Sequence, residues 1–396
     1  MNNITRRKFM QTGGALAAAS VVPTVSLWPR PSQAADPVKL GLLHSLTGTI
    51  AIAEAALVDA EKLAIDEINA AGGVLGRRIE PIVEDGASDW PMFAEKSKKL
   101  LQRDKVAAVV GCYTSASRKA VLPVFNQLKG LLYYPTYYEG QEQDKAVIYT
   151  SQEATQSVIA AIEWMAAQEG KTFFLVGSDY IYPRTCNKIA KPTVSRTGGK
   201  VVGEEYAPLG HTDFSSIINK IKSAKPDWIY STVVGGSNVA FYKQLKAAGL
   251  DGMKQKLLST VVQESQIDGI GKDNAAGYYS CAGYFQSLKN PINERFVKAF
   301  KAKYGQNRVV DDPMQCAYNS VYLWKMAAEK ANSFDVDKVV AASANLELDA
   351  PEGKIRIHPA NHHTSKKVRI GRTRSDGQFD IVFESGVIEP NPFPKL

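Results

Sequence analysis

The side chains best suited to recognition are tyrosines and small hydroxyl residues that follow short apolar runs. The stretch Gly111-Cys112-Tyr113-Thr114-Ser115-Ala116-Ser117 follows VAAVV (106–110). Four others have the same form: His44-Ser45-Leu46-Thr47-Gly48, Tyr134-Pro135-Thr136, Ser178-Asp179-Tyr180-Ile181-Tyr182, and Thr260 to Glu264. These stretches are rich in phenols and aliphatic hydroxyls, poor in cations, and short of carboxylates. Hydroxyls both donate and accept hydrogen bonds, and tyrosine rings add flat walls that exclude water. That combination suits a small neutral polar molecule with a carbonyl acceptor and NH₂ donors, such as an amide or urea. A free amino acid would instead ask for a carboxylate to pair with its ammonium group. Five tyrosines at or near apolar-run ends (Tyr113, Tyr134, Tyr138, Tyr180 and Tyr182) make a chance placement of the whole set unattractive.

Catalytic readings are weaker. A nucleophile elbow requires G-x-S-x-G, which Gly111 to Ser117 does not supply. Cys112 as a thiol nucleophile would need a histidine base, and His44 is the one histidine at a strand end of the same set. A buried thiol filling the sheet is the simpler reading. His362-His363 are adjacent and lack companions for a metal. Neither G-x-x-x-x-G-K-[ST] nor G-x-G-x-x-G stands at a strand end. The sequence therefore asks for no cofactor and no metal, and it reads as a binding protein with no catalytic residues. Cys112, Cys186, Cys281 and Cys316 form no C-x-x-C and no zinc spacing. They read as free buried thiols, with a single disulfide the alternative that an oxidising compartment would allow.

Strands and helices that could position these groups alternate from Val38 onward. Apolar runs at 38–46, 79–85, 106–111, 130–135 and 147–150 predict strands, with helices between them such as that carrying Leu57, Ala60, Ala64 and Ile68. A second series follows a helix at 154–169. Its strands lie at 171–178, 200–206, 228–234, 256–261 and 277–285. Three helices (291–304, 313–330, 335–344) and alternating strands at 354–358, 366–373 and 378–384 complete the chain. Such alternation predicts α/β architecture, two doubly wound parallel-sheet lobes in series. Ligands of such sheets bind beyond the carboxyl ends of the strands, where the hydroxyl-rich stretches lie.

The chain has 396 residues, of which 44% are hydrophobic and 22% charged, enough for two lobes of roughly 150–200 residues each. Residues 1–34 read as a twin-arginine export signal. Thr5-Arg6-Arg7-Lys8-Phe9 precedes a weak apolar stretch and small-residue cleavage sites at Ser32-Gln33-Ala34-Ala35. That apolar stretch is shorter than the ~20 residues a membrane span needs. Its removal takes away Arg6, Arg7, Lys8 and Arg30 and no acid, lowering the formal charge from +8 to +4. Lys366, Lys367, Arg369, Arg372 and Arg374 form the one basic cluster. Their alternation reads as a solvated strand face and not as a nucleic-acid surface.

Several segments together resemble a known family. They are GLLHSLTGTIAIAE (41–54), INAAGGVLGRRIEP (68–81), GCYTSASRKAVLPVF (111–125), YYPTYYEG (133–140), GSDYIYPRTCNKI (177–189), STVVGGSN (231–238) and RIGRTRSDGQFDIV (369–382). In this order they resemble the exported substrate-binding proteins of urea and short-chain amide ABC transporters, and the related sensor that regulates aliphatic amidase. The resemblance implies a type I periplasmic-binding-protein fold with several hinge crossings. It implies a first lobe of 36–153 plus 286–345, a second of 154–285 plus 346–385, and a tail at 386–396. It further implies a soluble periplasmic protein that delivers ligand to an ABC permease. The N-terminal signal would carry it to the periplasm through the twin-arginine export machinery. The amide-sensor pattern places ligand contacts on Tyr113, Ser115, Tyr134, Thr136, Tyr180 and Tyr182. Tyr113 stands where the urea proteins carry tryptophan, and Thr136-Tyr137 where they carry valine–glutamine. The amide sensor has threonines where this chain reads Val261-Val262, leaving Thr260 or Gln263 to supply that contact. The pocket pattern thus leans towards amides and the tail towards urea. The alternatives are a binder of branched-chain or other small amino acids, a ligand-sensing regulator, and an amide hydrolase.

Overall fold

The computed structural model describes residues 36–395. The stretch read as an export signal, residues 1–34, lies outside the described residues. The first sheet is wholly parallel and holds β1 (Val38–His44), β2 (Ile79–Asp85), β3 (Ala108–Gly111), β4 (Leu132–Tyr134) and β5 (Val147–Tyr149), in the order β2-β1-β3-β4-β5. Successive residues leave opposite faces of a strand, and here both faces are covered. Leu40, Leu42, Val110 and Tyr133 enter one apolar cluster with Trp324, while Leu43, Val109, Leu132 and Tyr134 enter another with Phe125. Burial on both sides explains the unbroken apolar runs of these strands.

The second sheet is built on β6 (Thr172–Ser178), β7 (Lys200–Ala207), β8 (Trp228–Thr232), β9 (Lys256–Ser259) and β10 (Tyr279–Ala282), all parallel. Their order is β7-β6-β8-β9-β10, continued by β13 (Thr364–Thr373), β12 (Gly353–Ile357) and β11 (Glu347–Ala350), each antiparallel to its neighbour. β14 (Phe379–Ile388) pairs with β13. In both sheets the strand order reverses beside the first strand of the series, between β1 and β3 and between β6 and β8. A crevice opens at such a reversal.

The termini of the helices follow local chemistry. Asp89, Asn290 and Asp311 each accept a backbone N–H of the following turn, and Pro91, Pro291 and Pro313 open those same helices. Gly73 N donates to the Ile68 carbonyl and stops the helix Leu57–Ala70. The long helix Asp312–Ala331 packs Val321, Leu323 and Trp324 into the apolar cluster of the first sheet. Apolar residues of β11 and β12 (Ala350, Ile355, Ile357) join that same cluster, although their strands belong to the second sheet. Sequence periodicity places the other strands to within a few residues but misses β11 and the short helices Ala51–Glu54 and Glu264–Ile270.

The basic cluster departs from expectation. Lys367 keeps a partly exposed side chain, but Lys366 and Arg369 are buried. Lys366 Nζ donates to Glu352 Oε1 (3.0 Å) and to the Thr150 carbonyl (2.9 Å). Arg369 donates to the carbonyls of Gly283 and Glu352. The cause is packing over the face of β13: Lys366 lies against Thr150, Glu352 and, from the helix Asp312–Ala331, Cys316, so its face of the strand is not open. These bonds gather Thr150, Gly283 and Glu352, from three separate stretches of chain, around one strand. Burial disfavours the Lys366 charge, but the nearby Cys316, Glu352 and Asp312 outweigh it and hold its pKa above the usual lysine range. Lys366→Ala leaves Glu352 buried without its cation and is expected to cost ~3–5 kcal/mol. Lys367→Ala is expected to stay within ~0.5 kcal/mol. Urea-unfolding midpoints of the two variants measure the difference.

Candidate functional site

β3 leads into the site. Gly111 lies so close to β1 that a Cβ there would sit 2.3 Å from the Leu43 carbonyl oxygen. Cys112 then takes a left-handed conformation (φ 63°) and donates its N–H to the same carbonyl at 2.9 Å. This turn sends Tyr113 beyond the sheet. Thr114 caps the next helix, Ser115–Leu128, by accepting the Ser117 N–H at 3.0 Å, which puts Ser115 at the first helical position.

A chain of hydroxyls runs from this turn across to the second sheet. Tyr113 and Tyr137 share a hydrogen bond of 2.8 Å, and the Tyr137 hydroxyl donates to the Val261 carbonyl at 3.2 Å. The Tyr137 ring lies 6.0 Å from that of Tyr182, whose hydroxyl pairs with Thr260 Oγ1 at 3.0 Å. Tyr180 follows at 6.3 Å from Tyr182. Of the six residues selected from sequence, five are buried and Tyr180 is partly buried. Tyr113, Tyr182 and Tyr180 converge from the two sheets. Tyr134 and Thr136 stand one layer behind. The Tyr134 hydroxyl donates to the Tyr113 carbonyl at 2.6 Å, and Thr136 Oγ1 donates to the Cys112 carbonyl at 3.4 Å. Both brace the turn that carries Tyr113. Thr260 supplies a hydroxyl beside Val261, whereas the Gln263 amide oxygen accepts the Asp312 N–H at 3.3 Å.

The site is more highly charged than its strand-end stretches suggest. Ser115 Oγ donates to Glu139, a buried carboxylate. Arg118 is buried one helical turn further along. Its guanidinium lies 4.7 Å from the Tyr134 ring and 4.3 Å from the Tyr138 ring. It donates to Glu142 from Nε (2.7 Å) and to Ser115 Oγ from Nη1 (3.3 Å), and Glu139 lies 3.8 Å away. Burial opposes the charge of Glu142, yet Arg118 and Lys119 prevail and hold its pKa down to about 2. The Tyr180 phenol is pushed upward, first by burial and then by Tyr134 and Glu139. Tyr137, Glu139 and Arg118 were missing from the sequence-derived set. The signals for them were the i,i+3 spacing of Ser115 and Arg118 and the carboxylate that closes the tyrosine run 137–139.

His44 does not serve Cys112. It is buried between two carboxylates, with Nδ1 3.2 Å from Glu54 Oε1 and Nε2 2.7 Å from Glu61 Oε1. Burial lowers its pKa, but the paired carboxylates overcome this and raise it to about 10. Burial pushes the Cys112 thiol far up, so it carries no thiolate at neutral pH. All four cysteines are buried and free. His363 stacks on Tyr149 at 4.1 Å, and burial drops its pKa to about 3. Among the described residues no group of three or more histidines, cysteines or carboxylates could hold a metal ion.

A histidine whose pKa is raised by folding adds stability below its unfolded pKa and loses it as pH climbs to the folded value. The chain should therefore lose stability between about pH 6.5 and about 10 through His44. His44→Gln should flatten that slope while lowering stability at neutral pH. Denaturation midpoints recorded across this range check both effects.

The sequence model described as a periplasmic binding protein domain matches residues 38–396. A leucine-, isoleucine-, valine-, threonine- and alanine-binding protein of Pseudomonas aeruginosa is 26% identical over 332 residues, 82% of this chain and 86% of that one. A stretch of 116 residues is 41% identical to part of a limonene hydroxylase of Geobacillus stearothermophilus; it spans 29% of this chain and only 21% of that protein. A Rhodopseudomonas palustris ABC-transporter solute-binding protein solved with 4-hydroxybenzoate has a similar fold. It gives a TM-score of 0.80 at 24% identity, over 90% of this chain and 98% of that one.

Proposed function

We infer, from a chain that belongs to the periplasmic binding protein family and is a solute-binding protein of the ABC-transporter type, that its ligand is urea or a short-chain aliphatic amide. The ligand is held between the lobes and delivered to an ABC permease, without chemistry. The observation that carries this reading is the run of hydroxyls from Tyr113 through Tyr137 to Val261 and Tyr182, with Tyr180 alongside. Hydroxyls satisfy both the carbonyl and the NH₂ groups of an amide. The charges point the same way. Arg118 is occupied by Glu142, Ser115 and two tyrosine rings, so it is not available to a ligand carboxylate. Glu139 repels such a carboxylate but accepts N–H donors from a neutral ligand.

A second reading has one observation in its favour. Glu139 is a buried carboxylate of the kind an ammonium group seeks, and the Pseudomonas aeruginosa relative is named for the amino acids it binds. An amino-acid ligand would pair its ammonium with Glu139 and leave its carboxylate to the hydroxyls. Calorimetric titration with urea, formamide, acetamide, leucine and 4-hydroxybenzoate separates the classes. The neutral ligands are expected to bind, and leucine and 4-hydroxybenzoate to bind weakly or not at all. Tight leucine binding without amide or urea binding overturns the ligand class and leaves the family intact.

Site and export are tested separately. Removing a hydroxyl that pairs with buried ligand leaves a polar group unsatisfied, at ~1–3 kcal/mol or about 5–150-fold in affinity. Tyr180→Phe should weaken binding by that order with an unchanged ligand-free melting temperature, since a partly exposed phenol is also served by water. Wild-type affinity in this variant removes Tyr180 from the site. Replacing Arg6 and Arg7 by lysine should leave precursor in the cytoplasm, because the signal is read as twin-arginine. Normal export of that double variant rules out a strict twin-arginine route to the periplasm.

A further inference from the structure

The loop after β1 takes no part in the hydroxyl chain, yet it is held firmly. Asp85 at the end of β2 accepts the Leu46 N–H (2.8 Å), the Ala87 N–H (2.7 Å) and the Thr47 hydroxyl (2.8 Å). Ser88 accepts the Ile50 N–H at 3.1 Å and donates to the Thr47 carbonyl at 2.9 Å. Gly48 takes a φ of +85°, and a Cβ there would strike the Ser88 hydroxyl at 2.6 Å. The two segments HSLTGTI (44–50) and EDGAS (84–88) therefore form one braced projection on the first lobe.

That projection ends against glycines from two loops and one short helix of the second lobe. The Gly236 N–H donates to the Thr49 carbonyl at 3.1 Å. A Cβ on Gly235 would lie 2.9 Å from that carbonyl oxygen and 3.1 Å from Ile50 Cδ1. A Cβ on Gly210 would lie 3.2 Å from Thr49 Oγ1, and one on Gly269 only 2.6 Å from Ile52 Cδ1. These glycines follow β7, β8 and β9 in turn. Gly269 has no left-handed backbone to explain it; the room it leaves is filled by Ile52. Ile50 is 1% exposed and packs into the apolar cluster of the second lobe.

We propose that Thr49, Ile50 and Ile52 form a closure latch that seats in this glycine socket and sets ligand affinity separately from the ligand's own contacts. The proposal rests on the reading of the chain as a binding protein whose lobes open and close. Apparent affinity equals intrinsic affinity scaled by the fraction of molecules able to close. A latch that adds apolar contact and one backbone hydrogen bond only in the closed form raises that fraction.

Two experiments on the mature chain decide the matter, with circular dichroism confirming that each variant is folded. The first needs no ligand. A cysteine pair, Thr49→Cys with Gly210→Cys, spans positions within disulfide reach when the latch is seated, and the native cysteines are buried. Mild oxidation should cross-link this pair. Adding Gly269→Val should cut the yield severalfold by blocking Ile52, and adding Ile52→Ala on top should restore it. A folded pair that never cross-links, or a yield indifferent to Gly269→Val, overturns the latch.

The second experiment is calorimetry with urea as the probe, in chains without the added cysteines. Gly269→Val should bind about tenfold or more weakly, and Gly269→Val with Ile52→Ala should recover to within about threefold of wild type. A double variant no better than Gly269→Val refutes the steric mechanism. If the wild type itself ignores urea, the ligand assignment fails, and the cross-linking yields still judge the latch.

Discussion

A polar group caught between two sheets has to find its partner across the gap. The hydrogen bond from Tyr137 to the Val261 carbonyl meets that requirement, and the arrangement of the site follows from it. Both groups stand beyond the carboxyl ends of parallel strands, on different lobes. Tyr137 shares a hydrogen bond with Tyr113, and Tyr113 is aimed by the left-handed Cys112 and the close approach of Gly111 to β1. Tyr134 and Thr136 then brace the same turn through its carbonyls. A loss anywhere along this series exposes a polar group to a partner that has moved away, at a cost comparable with that of an unmade hydrogen bond.

Several buried charges have their own counterions, and three of them frame the lobes. Arg118 lies between Glu142 and the tyrosine rings, His44 between Glu54 and Glu61, and Lys366 against Glu352. Buried pairs of this kind add little net stability but penalise any arrangement that separates them. His44 ends β1, and Arg118 stands in the first turns of the helix that follows β3. The third joins the stretches that hold Thr150 and Glu352 to β13. They favour rigid lobes with defined connections. The socket for Thr49 and Ile52 adds a contact between the lobes that is made away from the hydroxyl chain.

The strand–helix alternation was legible because parallel strands buried on both faces are continuous apolar runs. The position of Tyr113, Ser115, Tyr180 and Tyr182 at strand ends was legible for the same reason. Glu139 was not, since its meeting with Ser115 depends on how a helix and a loop 24 residues apart fold together, and the pairing of Arg118 with Glu142 depends on the same packing. The cations of β13 misled because their alternation matches that of an exposed strand, whereas the contacts of Lys366 with Thr150 and Cys316 come from distant stretches of chain. Likewise Gly235, Gly236 and Gly269 look like ordinary turn or helix glycines until Thr49 and Ile52 are seen against them. Local pattern reported which elements form. Packing between elements decided what those elements bury.

The most direct test of the account is a crystal structure of the mature chain grown with urea. The account predicts one planar molecule enclosed between the lobes, hydrogen-bonded to groups among Ser115, Tyr113, Glu139 and Tyr180, with Tyr137 still reaching Val261. A closed protein whose cleft holds an amino acid carried through purification, or urea bound only at the surface, would contradict it.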